Sequence, residues 1–204
     1  MARVAIIDYG VGNLRSVEKA FHATGCSAQV SADEDVLRNA ERLVLPGVGA
    51  FGACMRELKS RGFDRLVRER VQQGTPVLGV CVGMQMLFEE SEEFGVTEGL
   101  GFLRGRVRRF PDQLLVPQVG WNEVRQSRAH PLTNGINDHE YFYFVHSYYC
   151  AAADAQDVLG ETEYGAWYAS VVARDNLCGV QFHPEKSQTV GLKLLHNFAR
   201  ADFN

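Results

Sequence analysis

The stretch Thr75-Pro-Val-Leu-Gly-Val-Cys81-Val-Gly-Met-Gln-Met-Leu87 constrains this chain more than any other. An apolar run closes in Gly-Val-Cys-Val-Gly and continues into Met-Gln-Met-Leu-Phe, which reads as a buried strand, a sharp turn and a helix starting at Val82. Such a turn puts its middle residue, Cys81, at the tip, and glycines at 79 and 83 keep Cβ atoms clear of the junction. The helix would aim unpaired N–H groups and the positive end of its dipole at the sulfur. Both favour the thiolate, which is the nucleophilic form. A cysteine after an apolar strand is also a common small core residue. Catalysis therefore requires a base elsewhere in the chain.

Gln181-Phe-His183-Pro-Glu185-Lys-Ser187, after another apolar strand, offers that base. Pro184 disfavours the helical region for His183 and pushes it towards an extended conformation. In extended chain, side chains two apart share a side, so His183 and Glu185 are expected to point into one site. A His-Pro pair by itself also suits a plain surface turn. Its occurrence with the elbow, each at the end of a strand, favours Cys81 as nucleophile, His183 as general base and then acid, and Glu185 as the group that orients the imidazole.

With 204 residues, 46% hydrophobic and 23% charged, the chain can bury one good core and is expected to form a single domain over residues 1–204. A net charge of −4, from 21 basic and 25 acidic residues, leaves no general electrostatic footprint for nucleic acid. Arg104, Arg106, Arg108 and Arg109 form the local basic cluster; on a strand the first three share a face, either a partner or phosphate surface or a solvated sheet face. The five cysteines show no metal-ligand spacing and suit a reducing compartment, so the expectation is a cytoplasmic protein with no metal and no cofactor. The apolar run Val4 to Ile7 stops at Asp8, too short for a signal peptide or a membrane span.

Taken in order, residues 3–8 read as a strand. A Tyr9-Gly-Val-Gly turn leads into a helix with Leu14, Val17 and Phe21 on one face and Gly25 as a C-terminal cap. Gly10 and Gly12 lack the third glycine of a dinucleotide fingerprint. Strands are expected at 27–31 and 42–46, with a helix over 33–40 between them. Pro46-Gly47-Val48-Gly49 follows, then helices marked by Phe51, Cys54, Met55 and Leu58 and by Phe63, Leu66, Val67 and Val71. The 47–49 turn is where an oxyanion hole can be built, with the backbone N–H of Val82 as the second donor; a plain turn is the alternative. Glu89 to Glu93 reads as a solvated end of the helix begun at 82. Strands are expected at 104–110, 116–124, 141–150, 158–163, 166–173 and 177–182, then a helix with Val190, Leu194 and Phe198 on one face. The fold class is α/β: three layers, an open, mostly parallel sheet with helices on both faces, and added antiparallel strands in the C-terminal half.

The elbow Gly79-Val-Cys81-Val-Gly83-Met-Gln85 and the His183-Pro-Glu185 turn resemble class I (triad) glutamine amidotransferases. Asp8-Tyr-Gly-Val-Gly-Asn-Leu-Arg-Ser16, Pro46-Gly-Val-Gly-Ala-Phe51, Val116-Pro-Gln-Val-Gly-Trp-Asn122, Tyr143-Phe-Val-His-Ser-Tyr148 and His183-Pro-Glu-Lys-Ser187 look like one subgroup, the glutaminase subunits of imidazole glycerol phosphate synthases. The resemblance implies hydrolysis of L-glutamine through a thioester on Cys81, with the oxyanion held by Val82 and by Gly47, Val48 and Gly49. It also implies a glutamine site at Gln85, Glu93, Ser147 and Tyr148, where the Glu93 carboxylate suits the substrate's α-ammonium. Ammonia would pass to a (β/α)8-barrel synthase subunit, in a heterodimer, that converts PRFAR to imidazole glycerol phosphate and AICAR. Asn13, Trp121 and Lys186 match positions expected at that interface. Gln118-Val119 departs from the subgroup, which often has His and a larger apolar residue there. A free-standing cysteine hydrolase would need no partner, and a non-catalytic subunit would require a broken triad.

Overall fold

The computed structural model describes residues 3–203, so the ends of the single domain expected over 1–204 lie outside the described residues. Strands β1 (Arg3–Ile7), β2 (Ser27–Ser31), β3 (Arg42–Gly47) and β4 (Val77–Cys81) alternate with helices α1 (Leu14–Ala23), α2 (Glu34–Arg38), α3 (Phe51–Ser60) and α4 (Phe63–Gln72). A single helical turn, α5 (Val82–Gln85), leads to β5 (Phe88–Ser91), β6 (Thr97–Glu98), β7 (Leu103–Arg109), β8 (Gln118–Gln126) and β9 (Glu140–His146). The chain ends with β10 (Tyr148–Ala152), β11 (Val158–Glu163), β12 (Trp167–Arg174), β13 (Leu177–Val180) and α6 (Gln188–Arg200).

The strands run β2-β1-β3-β4-β13-β12-β10-β7-β5-β6 across the main sheet, with β11 bridging β12 to the β8–β9 pair. From β2 to β13 every pairing is parallel; beyond it β12, β10 and β7 pair antiparallel. Right-handed crossovers to opposite sides of β1 put α1 on one face and α2, α3 and α4 on the other. Accordingly α1 packs with α6, Phe21 against Phe198, while α4 packs with α2 and α3. Central strands covered on both faces must be apolar throughout, and every residue of β4 is buried. The expected fold class holds.

Two expectations fail. The helix from Val82 to Glu93 stops after one turn, because Phe88 is buried in a strand that pairs with β7 instead of continuing along a helix face. The strand over 141–150 is two strands: β9 pairs with β8, β10 with β7, and the chain changes partner at Ser147. The arginines of β7 form a solvated face, with Arg104 and Arg106 in ion pairs to Asp154 and Glu90 at 3.6 and 3.3 Å.

The elbow is a contact of bare backbones. A Cβ on Gly83 would lie 1.8 Å from the carbonyl oxygen of Leu45 in β3, and one on Gly79 2.6 Å from the carbonyl oxygen of Gly83. Neither neighbour is a side chain that can swing away. Gly83→Ala should therefore lower stability by about 2–4 kcal/mol, seen as a lower urea midpoint; an unchanged midpoint would show that β3 and the elbow are not in this contact.

Candidate active site

Three segments reach one sheet edge because β3, β4 and β13 are parallel neighbours. Gly47 lies opposite Cys81 and Val180 opposite Val80, so the 47–49 turn, the elbow and the run into His183 leave the sheet side by side. This is the carboxyl edge, where open α/β sheets place their sites.

Cys81 takes φ 56° and ψ −115°, a left-handed conformation that only a strained turn imposes on a non-glycine residue. It is 3% exposed, against 4% for His183. His183 is extended, at φ −97° and ψ 98°, and its imidazole Nδ1 meets Glu185 Oε1 at 2.9 Å. The contact was expected, but from two residues of one extended strand. Instead Glu185 sits in a 3-10 turn over Pro184–Lys186, and from that turn its carboxylate meets the ring nitrogen. Ser187 locks the loop, donating from Oγ to the His183 carbonyl at 2.7 Å and accepting from the Tyr143 N–H at 3.0 Å.

Burial opposes charge on His183, but the adjacent Cys81 sulfur and the Glu185 carboxylate outweigh it and lift the imidazole pKa to about 10. The other carboxylate oxygen, Glu185 Oε2, is buried and has no hydrogen-bond partner among the described residues, so its charge is left to act on the ring. A protonated imidazole beside sulfur is the arrangement of an activated cysteine nucleophile.

A cavity of about 310 Å³ opens over these groups, lined in part by Asn13, Val48, Gly49, Cys81, Val82 and His183. Gln85, Glu93, Ser147, Tyr148 and Lys186 line it too. Gln85 is almost wholly buried, and its amide nitrogen is committed to the Tyr148 carbonyl at 2.9 Å and to Gln181 Oε1 at 3.1 Å. Glu93 is no solvated helix end: its Oε2 accepts the Phe51 N–H at 2.6 Å, the first amide of α3. The Ser147 break lets β10 carry Tyr148 into the wall.

Asn13 begins α1 without a capping bond from its side chain. Trp121 does not line the cavity; it packs edge-on against Tyr143 at 6.1 Å, with Lys186 Nζ 5.7 Å from the centre of the same ring. Val119 and Trp121 are exposed on β8, while Gln118 points inward and accepts from the Tyr168 hydroxyl at 2.9 Å.

Two buried polar residues were left without a role by the sequence. Gln181 directs its amide nitrogen at the Cys81 sulfur, 3.8 Å away. His146 donates from Nδ1 to the Tyr148 carbonyl at 2.8 Å, and burial, the largest effect, pulls its pKa down to about 4. A polar side chain at the end of an otherwise apolar strand was the signal for each.

The class-I glutamine amidotransferase family model matches residues 5–201. A protein of Salinibacter ruber named imidazole glycerol phosphate synthase subunit HisH is 53% identical over 201 residues, covering 95% of this chain and 92% of that protein. One of the same name from Symbiobacterium thermophilum is 50% identical over 200 residues, covering 98% and 94%. Among solved structures, a glutamine amidotransferase superposes with a TM-score of 0.75 at 21% identity, covering 96% of each chain. PurLQS from Thermotoga maritima does so with a TM-score of 0.75 at 18% identity, covering 97% and 98%.

Both neighbours of His183 favour its charged form, so removing either makes the proton easier to lose. In an NMR titration the native imidazole should deprotonate near pH 10. In Glu185→Gln and in Cys81→Ala it should do so at lower pH; titration at the native pH in both would break the proposed charge coupling.

Proposed function

The chain belongs to the class-I glutamine amidotransferase family, and from that premise we infer that it is the glutaminase subunit of an imidazole glycerol phosphate synthase, acting in histidine biosynthesis. It hydrolyses L-glutamine to glutamate and ammonia and supplies the ammonia to a cyclase subunit, which converts PRFAR to imidazole glycerol phosphate and AICAR. The observation that carries this reading is a buried cysteine, an imidazole and a carboxylate brought together at the wall of a cavity, in a chain half identical to relatives of that name over nearly its whole length.

The reaction follows from that geometry. The Cys81 thiolate attacks the side-chain carboxamide carbon, and the oxyanion is held by the Val82 N–H and the Gly47, Val48, Gly49 turn. His183 gives its proton to the departing nitrogen, which leaves as ammonia, and the acyl group stays on sulfur as a γ-glutamyl thioester. His183 then takes a proton from water, the hydroxide adds to the thioester carbon, and the thiolate is expelled with glutamate. Glu185 holds the imidazole throughout. Gln85, Glu93, Ser147 and Tyr148 are assigned to the amino-acid end of glutamine. For Gln85 this role runs through its oxygen or its hold on Tyr148, and for Glu93 through the oxygen not bonded to Phe51.

Residues 1–204 are taken as one glutamine amidotransferase domain, a reading supported by the continuous sheet. The partner is proposed to be a (β/α)8 barrel, docking as a heterodimer over Asn13, Trp121 and Lys186. Support for that face comes from exposed Val119 and Trp121 beside the Tyr143–Lys186 contact at the cavity mouth. A cytoplasmic location is supported by five free cysteines. No helix among the described residues is long and apolar enough to cross a membrane.

Glutamate release should be low for this chain alone and rise strongly with the liganded cyclase subunit, through reorientation of the 47–49 turn, and Cys81→Ala should abolish it. Equal rates with and without the liganded partner would sink the coupling. Trp121→Ala should weaken the complex roughly 30-fold or more by calorimetry; unchanged affinity would remove Trp121 from the interface.

A further inference from the structure

The segment from Pro46 to Phe51 carries glycines on both sides of Val48, and Gly49 sits at φ +80°. Backbone of this composition resists rotation of its peptide units very little. Side chains arriving from outside the segment hold two of those units, the 46–47 and 48–49 peptides. The Tyr9 hydroxyl, wholly buried after β1, donates to the Pro46 carbonyl at 2.5 Å. The Cys54 thiol, wholly buried in the first turn of α3, donates to the Val48 carbonyl at 3.3 Å. The hydroxyl and the thiol are close neighbours, each giving its proton to a carbonyl of the segment. Burial raises the pKa of each, which keeps both protonated and both donors.

In a trans peptide the C=O and N–H point in opposite directions. Holding the Val48 carbonyl on the α3 side turns the Gly49 N–H away from that helix, and Gly49 lines the cavity with Cys81. We propose that Tyr9 and Cys54 are positioning residues, a two-point latch that sets the orientation of the 46–47 and 48–49 peptides and hence the presentation of the turn's N–H groups to the oxyanion formed at Cys81. This rests on the glutaminase reading above. Neither residue meets the substrate. A latch that orients an oxyanion donor acts on the transition state, so it changes kcat and leaves KM nearly untouched.

The test uses the complex with the liganded cyclase subunit and measures glutaminase kcat and KM for wild type, Tyr9→Phe, Cys54→Ala and Cys54→Ser. Alkylation of Cys81 by iodoacetamide, which forms no oxyanion, is followed in parallel with Cys81→Ala as the blank. Tyr9→Phe and Cys54→Ala should each lower kcat about three- to tenfold, the loss expected from one hydrogen bond. KM and the alkylation rate should stay within twofold, and Cys54→Ser, which keeps a donor, should recover most of the rate. Unchanged kcat in both variants, or alkylation slowing in step with kcat, would overturn the latch while the glutaminase reading stands. A wild type without Cys81-dependent glutamate release would overturn both.

Discussion

The site depends on two stretches of backbone meeting with no side chain between them. The position a Gly83 Cβ would occupy is already filled by the Leu45 carbonyl, and a Cβ on Gly47 would lie 2.7 Å from the Gly83 nitrogen. This closeness lets β3 end beside the nucleophile, with Gly47 and Cys81 as paired residues on adjacent strands. Two elements that start apart in sequence are thereby brought to the roughly 5 Å spacing of neighbouring strands, the scale on which a nucleophile and an oxyanion donor must cooperate. The left-handed Cys81 conformation costs about 1–3 kcal/mol. Wholly buried neighbours in β4, among them Val77 and Leu78, hold the strand that imposes it.

Charge is the second constraint, and it binds the two ends of the chain together. His183 stays protonated despite burial because a sulfur and a carboxylate stand on either side of it. Removing one partner of such a buried set leaves the others poorly solvated, so its geometry has to be held firmly. The Ser187 hydroxyl does this by tying the His183 carbonyl to β9, and the His183 N–H itself donates to the Tyr143 carbonyl at 2.9 Å. The imidazole is thus aimed by backbone on one side and by Glu185 on the other.

Most of the architecture was legible because its signals are local. The buried parallel strands announce themselves as apolar runs, and the elbow as glycines flanking a cysteine. Where the reading failed, the deciding contact was distant. Phe88, four residues after Met84, fits a helix face as well as a strand, and only pairing with β7 chooses the strand. Residues 141–150 are aromatic or apolar apart from His146 and Ser147, and two polar residues inside such a run do not by themselves mark a change of sheet partner. The run 89–93 read as a solvated helix end because nothing nearby hints that Glu93 meets the Phe51 amide 42 residues away. His183 and Glu185 were paired for a reason that does not apply here: the 3-10 turn after Pro184 makes the contact that an extended strand was expected to make.

The division between rigid and open parts of the molecule bears on what the ammonia does next. Cys81 and His183 are fixed by sheet and core, whereas on β8 Val119, paired with Val145 of the cavity wall, and Trp121 face solvent. Thioester hydrolysis needs water at the sulfur, but ammonia set free into bulk water is mostly protonated at neutral pH and lost as a nucleophile. One opening cannot serve both needs if it stays uncovered. Apolar side chains around a polar cavity resolve the conflict: a partner seated on them excludes bulk water from the rim while leaving the enclosed water that hydrolysis consumes. The exposed apolar residues of β8, proposed above as part of the docking face, are suited to seating such a partner.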